Sequence, residues 1–243
     1  MTLIDKLPDS LPADNTPKTY AGTKLLTFLL AAGATSIITG ATITNTTAVA
    51  KDATTMTVSA TDSTFIPSGT VLTFGTTQVT TTADVTATAG GAAVAIKAAP
   101  AAIALNATAT YSNLLEVPTP EESNPTLSDQ EETINVHGRV TPIRSVNGKD
   151  LTATIRTIAA IDDPVVERLI TRGMSLSPNN RERVLWLYPD GFALLATVNI
   201  GAPTRQAAPG GTQRVQVTAN LSGALAWANL NDTTPTWKEV NAQ

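Results

Sequence analysis

The chain has 243 residues, of which 42% are hydrophobic, 15% charged and 4% aromatic, with a net charge of −4. That length allows one large domain or two smaller ones with proper cores. The acidic balance argues against a protein that grips nucleic acid by neutralising phosphates, and the absence of cysteine excludes disulfides, thiolate zinc sites and cysteine nucleophiles.

The first twenty residues, MTLIDKLPDSLPADNTPKTY, carry three prolines and no clustered basic residues, so no signal peptide is expected. Leu3, Ile4, Leu7 and Leu11 are apolar beads on an arm with no core of its own, which stays loose or lies across a neighbour. The run LLTFLLAA (25–32) is too short for the roughly 20 residues that span a bilayer. A soluble protein without a membrane anchor, made in a cytosol, is the expectation.

Residues 33–113 change character. They hold 22 threonines and 19 alanines among 81 residues, and their only charges are Lys51, Asp52, Asp62, Asp84 and Lys97. Threonine alternates with apolar residues in ATITNTTAV, TTMTVSA, GTVLTFG and TQVTTTADV, a period-two pattern that suits a pleated sheet. With a shift of 38, ATTMTVSA (53–60) falls on GAAVAIKA (91–98), and Ser68-Gly69-Thr70 on Asn106-Ala107-Thr108. The expectation is a module of two tandem β-units inserted in the chain. No acid, base or ligand recurs in both copies, which points to a scaffold rather than a catalyst.

EVPTPEESNPTLSDQEE (116–132) packs three prolines and six acids into seventeen positions and reads as an extended, solvated loop or linker. Beyond it a β-domain with one helix is expected. INVHGRVTPIRSV and DLTATIRTIAAI flank Asn147-Gly148, a hairpin signal. In DDPVVERLITRG, Asp163 caps a helix, Pro164 opens it, Gly173 ends it in a left-handed turn, and Val165, Val166, Leu169 and Ile170 form the packing stripe. Glu167, Arg168 and Arg172 fall outside that stripe. RVLWLYPDGFALLATVNIG gives two strands about a Pro-Asp-Gly turn, the first apolar on both faces as a central strand requires. QRVQVTANL alternates cleanly, and ALAWANL closes the sheet. Val184, Trp186 and Val198 imply a sheet face covered partly by the helix and otherwise by a neighbouring subunit and the arm.

No catalytic, cofactor or metal site emerges. His137 is a lone histidine in a predicted strand without a nucleophile motif. Glu121, Glu122, Asp129, Glu131 and Glu132 lack the spacing of a calcium loop. Asp162-Asp163 is accounted for by helix capping, and Gly210-Gly211 lacks the Lys-Ser/Thr that follows in a phosphate loop. Trp186, Trp227 and Trp237 read as packing residues.

The helix DDPVVERLITRG, the hairpin WLYPDGFALLATVNI and the pair QVTANLSGALAW together resemble the major tail protein, or tail tube protein, of tailed bacteriophages, over about residues 133–230. SGTVLTFG is similar to short β-modules inserted in phage virion proteins. The resemblance implies a mainly β fold, a tail-tube-like sandwich or barrel with one short flanking helix. It also implies homohexameric rings that stack into a DNA-conducting tube without binding DNA specifically. Sheath, terminator or baseplate components would be further partners, and the protein would reside in the virion after assembly in the host cytoplasm. The expected domains are an arm and first part of the tube domain (1–32), the inserted module (33–113), the acidic loop (114–132) and the main β-domain (133–243). Leu3, Ile4, Leu7, Pro118, Glu121, Glu122 and Asp129 are the candidate subunit-interface residues. Two alternatives stand: a secreted or surface-displayed Thr-rich β-repeat adhesion module, and a hydrolase with paired carboxylates.

Overall fold

A computed structural model describes residues 25–31, 33–134, 143–158, 161, 163–206 and 212–240. The fold is mainly β, with one helix among the described residues. In chain order, β1 (Leu26–Ala31) leads into a run of eight short strands. These are β2 (Ala41–Asn45), β3 (Thr55–Ala60), β4 (Thr64–Ile66), β5 (Val71–Phe74), β6 (Thr77–Thr80), β7 (Val85–Ala87), β8 (Ala92–Ala95) and β9 (Thr108–Tyr111). Then follow β10 (Leu115–Glu116), β11 (Pro120–Glu122), β12 (Pro125–Ile134), β13 (Ile143–Thr157) and α1 (Pro164–Met174). The chain continues through β14 (Arg181–Leu187), β15 (Phe192–Ile200), β16 (Thr204–Gln206), β17 (Arg214–Asn229) and β18 (Lys238–Val240).

One large sheet runs β10-β1-β14-β15-β17-β13-β11, with β12 added to β13, and β16 and β18 to β17. Its two end strands, β10 and β11, are separated in sequence by only residues 117–119. Three residues reach roughly 10 Å at full extension, so the sheet must curl until its edges nearly meet. The bonds agree: the Val117 amide donates to the Thr27 carbonyl on one edge, and the Thr157 hydroxyl donates to the Pro118 carbonyl on the other. Inside the curl lies a core containing Leu29, Leu151, Ile155, Trp186, Leu194 and Leu225, to which α1 adds Val165 and Leu169. Leu30, Leu185 and Leu195 form a second, smaller cluster. Residues 184–186 are therefore apolar in succession because β14, between β1 and β15, contributes to both clusters.

Val184, Trp186 and Val198 are each 0% exposed within the interior core. The curled sheet and α1 enclose that face, so it calls for no neighbouring subunit, which corrects the expectation of one; the arm lies outside the described residues.

The Thr/Ala-rich segment occupies the place of a hairpin turn. β1 and β10 are antiparallel neighbours, with Phe28 opposite Glu116 and Leu29 opposite Leu115, and everything between them is the module. Its ends meet again at the base, where β2 pairs with β9 and Asn113 bonds to Ser36 and Ile38. The module has its own core, built on Ile43, Val58, Ile66, Leu72, Val94 and Tyr111. The two copies do not fold as tandem units. β3, from the first copy, pairs with β8, from the second, inside one sheet ordered β8-β3-β2-β9, and both copies line a single core.

Four further expectations change. Residues 125–134 are a ten-residue strand and not a loop, so the acidic segment belongs to the main sheet. Asn147-Gly148 is not a hairpin turn: it lies inside the continuous β13, where Gly148 faces Gln130, Val146 faces Glu131 and Asn147 is the extra residue of a bulge. The β12–β13 connection runs through 135–142, outside the described residues, as does His137. QRVQVTANL and ALAWANL are one strand, β17, irregular near 222–224. Gly173 does not end the helix; it lies within α1, and a Cβ there would come 2.5 Å from the Gly201 carbonyl oxygen, so its role is close helix–sheet approach. Asp163 caps as expected, accepting from the Val165 amide at 2.8 Å and the Val166 amide at 3.3 Å. The Pro-Asp-Gly turn is also as expected, with Gly191 at φ 90°.

Candidate assembly interface

The feature least explained by the needs of a lone subunit is the β12–β13 ladder. Among the described residues β12 pairs only with β13, so its outer row of amides and carbonyls is open. From Thr126 to Ile134 every residue is exposed. The core face of the sheet also runs out into this ladder. Leu151 is 0% exposed, while its cross-strand partner Leu127 is 47% exposed; Val146, further along β13, is 51% exposed. A long, open edge carrying apolar side chains is a template for pairing with another chain.

The acids expected to repel one another are instead paired. Asp129 bonds Lys149, Glu131 lies 3.9 Å from Arg144, and Glu132 accepts from Asn147 at 2.7 Å, all across the ladder. At the base, Glu122 lies 3.8 Å from Arg156, which also donates to Gln216, and Glu121 accepts from Arg214 Nε at 2.7 Å. The Arg214 hydrogen bond and charge hold the Glu121 carboxyl below its ordinary range, and Glu121 in turn raises the guanidinium. Such exposed pairs add little stability each. They do fix strand register and leave the ladder near neutrality, so a second strand can approach it without repulsion.

Of the residues expected at an interface, Pro118, Glu121 and Glu122 come together where the sheet edges meet, and Asp129 stands out on the ladder. Leu3, Ile4 and Leu7 lie outside the described residues, as do Asp162 and Gly210-Gly211.

A buried charge cluster escaped the sequence reading. Glu182 on β14 is 0% exposed and accepts from Arg168 Nε at 2.8 Å, Arg168 Nη2 at 2.9 Å and Arg172 Nε at 2.7 Å. Arg168, read as lying outside the packing stripe, has a side chain only 9% exposed. A signal was present: Glu182, Val184 and Trp186 alternate on one strand face, and Arg168 and Arg172 are four apart on one helix face. The cluster pins α1 to the sheet. Among the described residues no group of three or more His, Cys, Asp or Glu is placed to hold a metal ion, and no helix is long and apolar enough to cross a membrane.

No protein-family model matches the chain, and no curated protein does. Among solved structures it is similar to a chain described as "Tail of empty GTA particle computed with helical refinement, C6 symmetry". The identity is 11% and the TM-score 0.38, over 46% of this chain and 84% of that one. A likeness of that size carries no argument for function, which rests on the residues described above.

Proposed function

We propose that the chain is a structural subunit of a phage-like tail, whose copies join into homohexameric rings that stack into a tube conducting DNA. The observation that carries the reading is the open, ten-residue β12 edge with Leu127 and Val146 exposed beside it. In an isolated subunit such an edge invites aggregation; in a closed ring the same edge is satisfied by a neighbour. The net charge of −4 agrees with a conduit, since DNA that must slide should not be held by counter-ion release. Pro118, Glu121, Glu122 and Asp129 would sit at or beside the contact, and Leu3, Ile4 and Leu7 of the arm would add apolar area. Sheath, terminator or baseplate proteins are the further partners this role calls for, in a virion assembled in the host cytoplasm.

Sedimentation velocity across a concentration series tests the role of the ladder. The wild-type chain should form ring-sized or larger species, and the Leu127→Lys/Val146→Lys variant should remain monomeric with unchanged circular dichroism. Identical sedimentation of the two would remove the ladder from the interface.

A further inference from the structure

Asn147-Gly148 is the one turn-like motif of the ladder that the fold does not use as a turn. Of the chain's asparagines only Asn147 precedes a glycine. An asparagine in that setting is chemically labile: the next residue's amide nitrogen can attack its side-chain carbonyl, and glycine puts no Cβ in the way. The surroundings favour the reaction. Asn147 is exposed and is the unpaired residue of the β13 bulge. Among the described residues β17 pairs with β13 only from Thr152 to Thr157, so at Asn147 the strand has a partner on the β12 side alone. The side chain is held in one orientation. Its Nδ2 donates to Glu132 Oε2 at 2.7 Å, and its Oδ1 accepts from the Ser145 hydroxyl at 3.0 Å. A carboxylate only accepts, so the amide nitrogen must face Glu132 and the oxygen Ser145. The hydroxyl therefore donates to the oxygen on which negative charge develops during attack.

We propose that Asn147 is a site of spontaneous deamidation whose product weakens the ladder as a surface for self-association. Solvent base takes the Gly148 amide proton, and that nitrogen bonds to Asn147 Cγ. The Cγ–Nδ2 bond breaks and the nitrogen leaves as ammonia, closing a succinimide. Water then opens the ring at either carbonyl, giving aspartate or, with the chain rerouted through Cβ and Cγ, isoaspartate. Water is the only co-reactant. Either product replaces the bond to Glu132 with a second carboxylate beside it, and like charges at that separation repel. Isoaspartate also lengthens the β13 backbone by one carbon at the bulge, which disturbs its register with β12. The effect on association rests on the reading of the ladder as the subunit contact; the modification itself does not.

Incubation of the full-length protein at mildly alkaline pH tests both parts, with peptide mapping by mass spectrometry and sedimentation velocity on the same samples. The peptide holding Asn147 should gain the mass of an amide-to-acid change before any other, and should become a substrate for an isoaspartate methyltransferase. Gly148→Ala keeps the asparagine but sets a Cβ beside the attacking nitrogen. That Cβ would meet Gln130 Oε1 at 3.3 Å, on an exposed side chain free to move, and the change should slow deamidation at least about fivefold. Asn147→Gln, which must close a larger ring, should stay intact through the same incubation. Aged wild-type protein should need at least about threefold more protein than fresh to associate to the same degree, and Asn147→Gln should show no such difference. An intact Asn147, another asparagine reacting as fast, or Gly148→Ala reacting at the wild-type rate overturns the site. Deamidated protein that associates as readily as fresh overturns the effect on association. Failure of the ladder reading shows separately, as fresh wild-type protein that sediments like the Leu127→Lys/Val146→Lys variant; it removes the effect on association, while the peptide map still decides the site.

Discussion

Replacing Glu182 with leucine isolates the contribution of the buried charge cluster. The carboxylate is fully buried and accepts three charge-assisted hydrogen bonds. Removing it strands two guanidiniums unequally. Arg172 is 29% exposed and keeps its bond to the Asn179 carbonyl at 2.8 Å, so water and that oxygen still serve it. Arg168, at 9% exposure, loses both of its hydrogen bonds to Glu182. Breaking a buried pair from one side costs about 3–5 kcal/mol, because the remaining charge stays out of water. For a chain of this size each kcal/mol lowers the melting temperature by about 2–4 °C, so the drop should lie between about 6 and 20 °C. The triple variant Arg168→Met/Arg172→Met/Glu182→Leu removes all three charges and should recover most of the loss, since apolar replacement of a whole buried cluster is often neutral. Urea titration followed by tryptophan fluorescence reads the effect well, because Trp186 lies fully buried on the same strand. A single Glu182→Leu change costing under about 1 kcal/mol, or a triple variant as unstable as the single one, would refute the reasoning.

Three other outcomes are expected. Deleting 34–112 with a short Gly/Ser join should leave the main domain folded, because β1 and β10 are already antiparallel neighbours and need only a turn; a molten product by near-ultraviolet dichroism would show that the two cores depend on each other. Burial pushes the Tyr111 hydroxyl up to about 12, so the folded module favours the neutral phenol. That contribution is fully present below about pH 10, the value for an exposed tyrosine, and is lost as pH rises towards 12. Tyr111→Phe should abolish this alkaline loss while costing about 1 kcal/mol at neutral pH for the bond to the Phe65 carbonyl, and an unchanged alkaline melt would contradict it. Removing residues 2–14 should weaken polymerisation while leaving the monomer's melt nearly intact, since burying the arm's four apolar beads contributes on the order of 6–10 kcal/mol before ordering costs. Equal polymerisation by the truncated chain would leave the arm without a role in the contact.

What was legible in the sequence was local. Asp163 and Pro164 fixed the start of α1, Pro-Asp-Gly fixed one turn, and the Thr/apolar alternation marked short strands within 33–113. What failed depended on partners distant in sequence. The acids of 116–132 read as a repelling loop because Lys149, Arg144, Arg156 and Arg214, which pair with four of them, come from later strands. Asn147-Gly148 has turn chemistry, yet the same permissive backbone serves a bulge, and only the partner strand decides between the two. The repeat pointed to two units because similarity along a chain is silent about which copy pairs with which. Of the candidate interface, sequence pattern found the acidic segment but not the exposed Leu127 and Val146, whose exposure follows from how far β12 and β13 run past the curled sheet.

Negative-stain electron microscopy of the purified full-length protein tests the central claim most directly. The account predicts rings with sixfold averages, stacking into tubes as concentration rises, with the Leu127→Lys/Val146→Lys variant yielding neither. Dispersed single particles of monomer size at every concentration, for the wild-type chain, would contradict it.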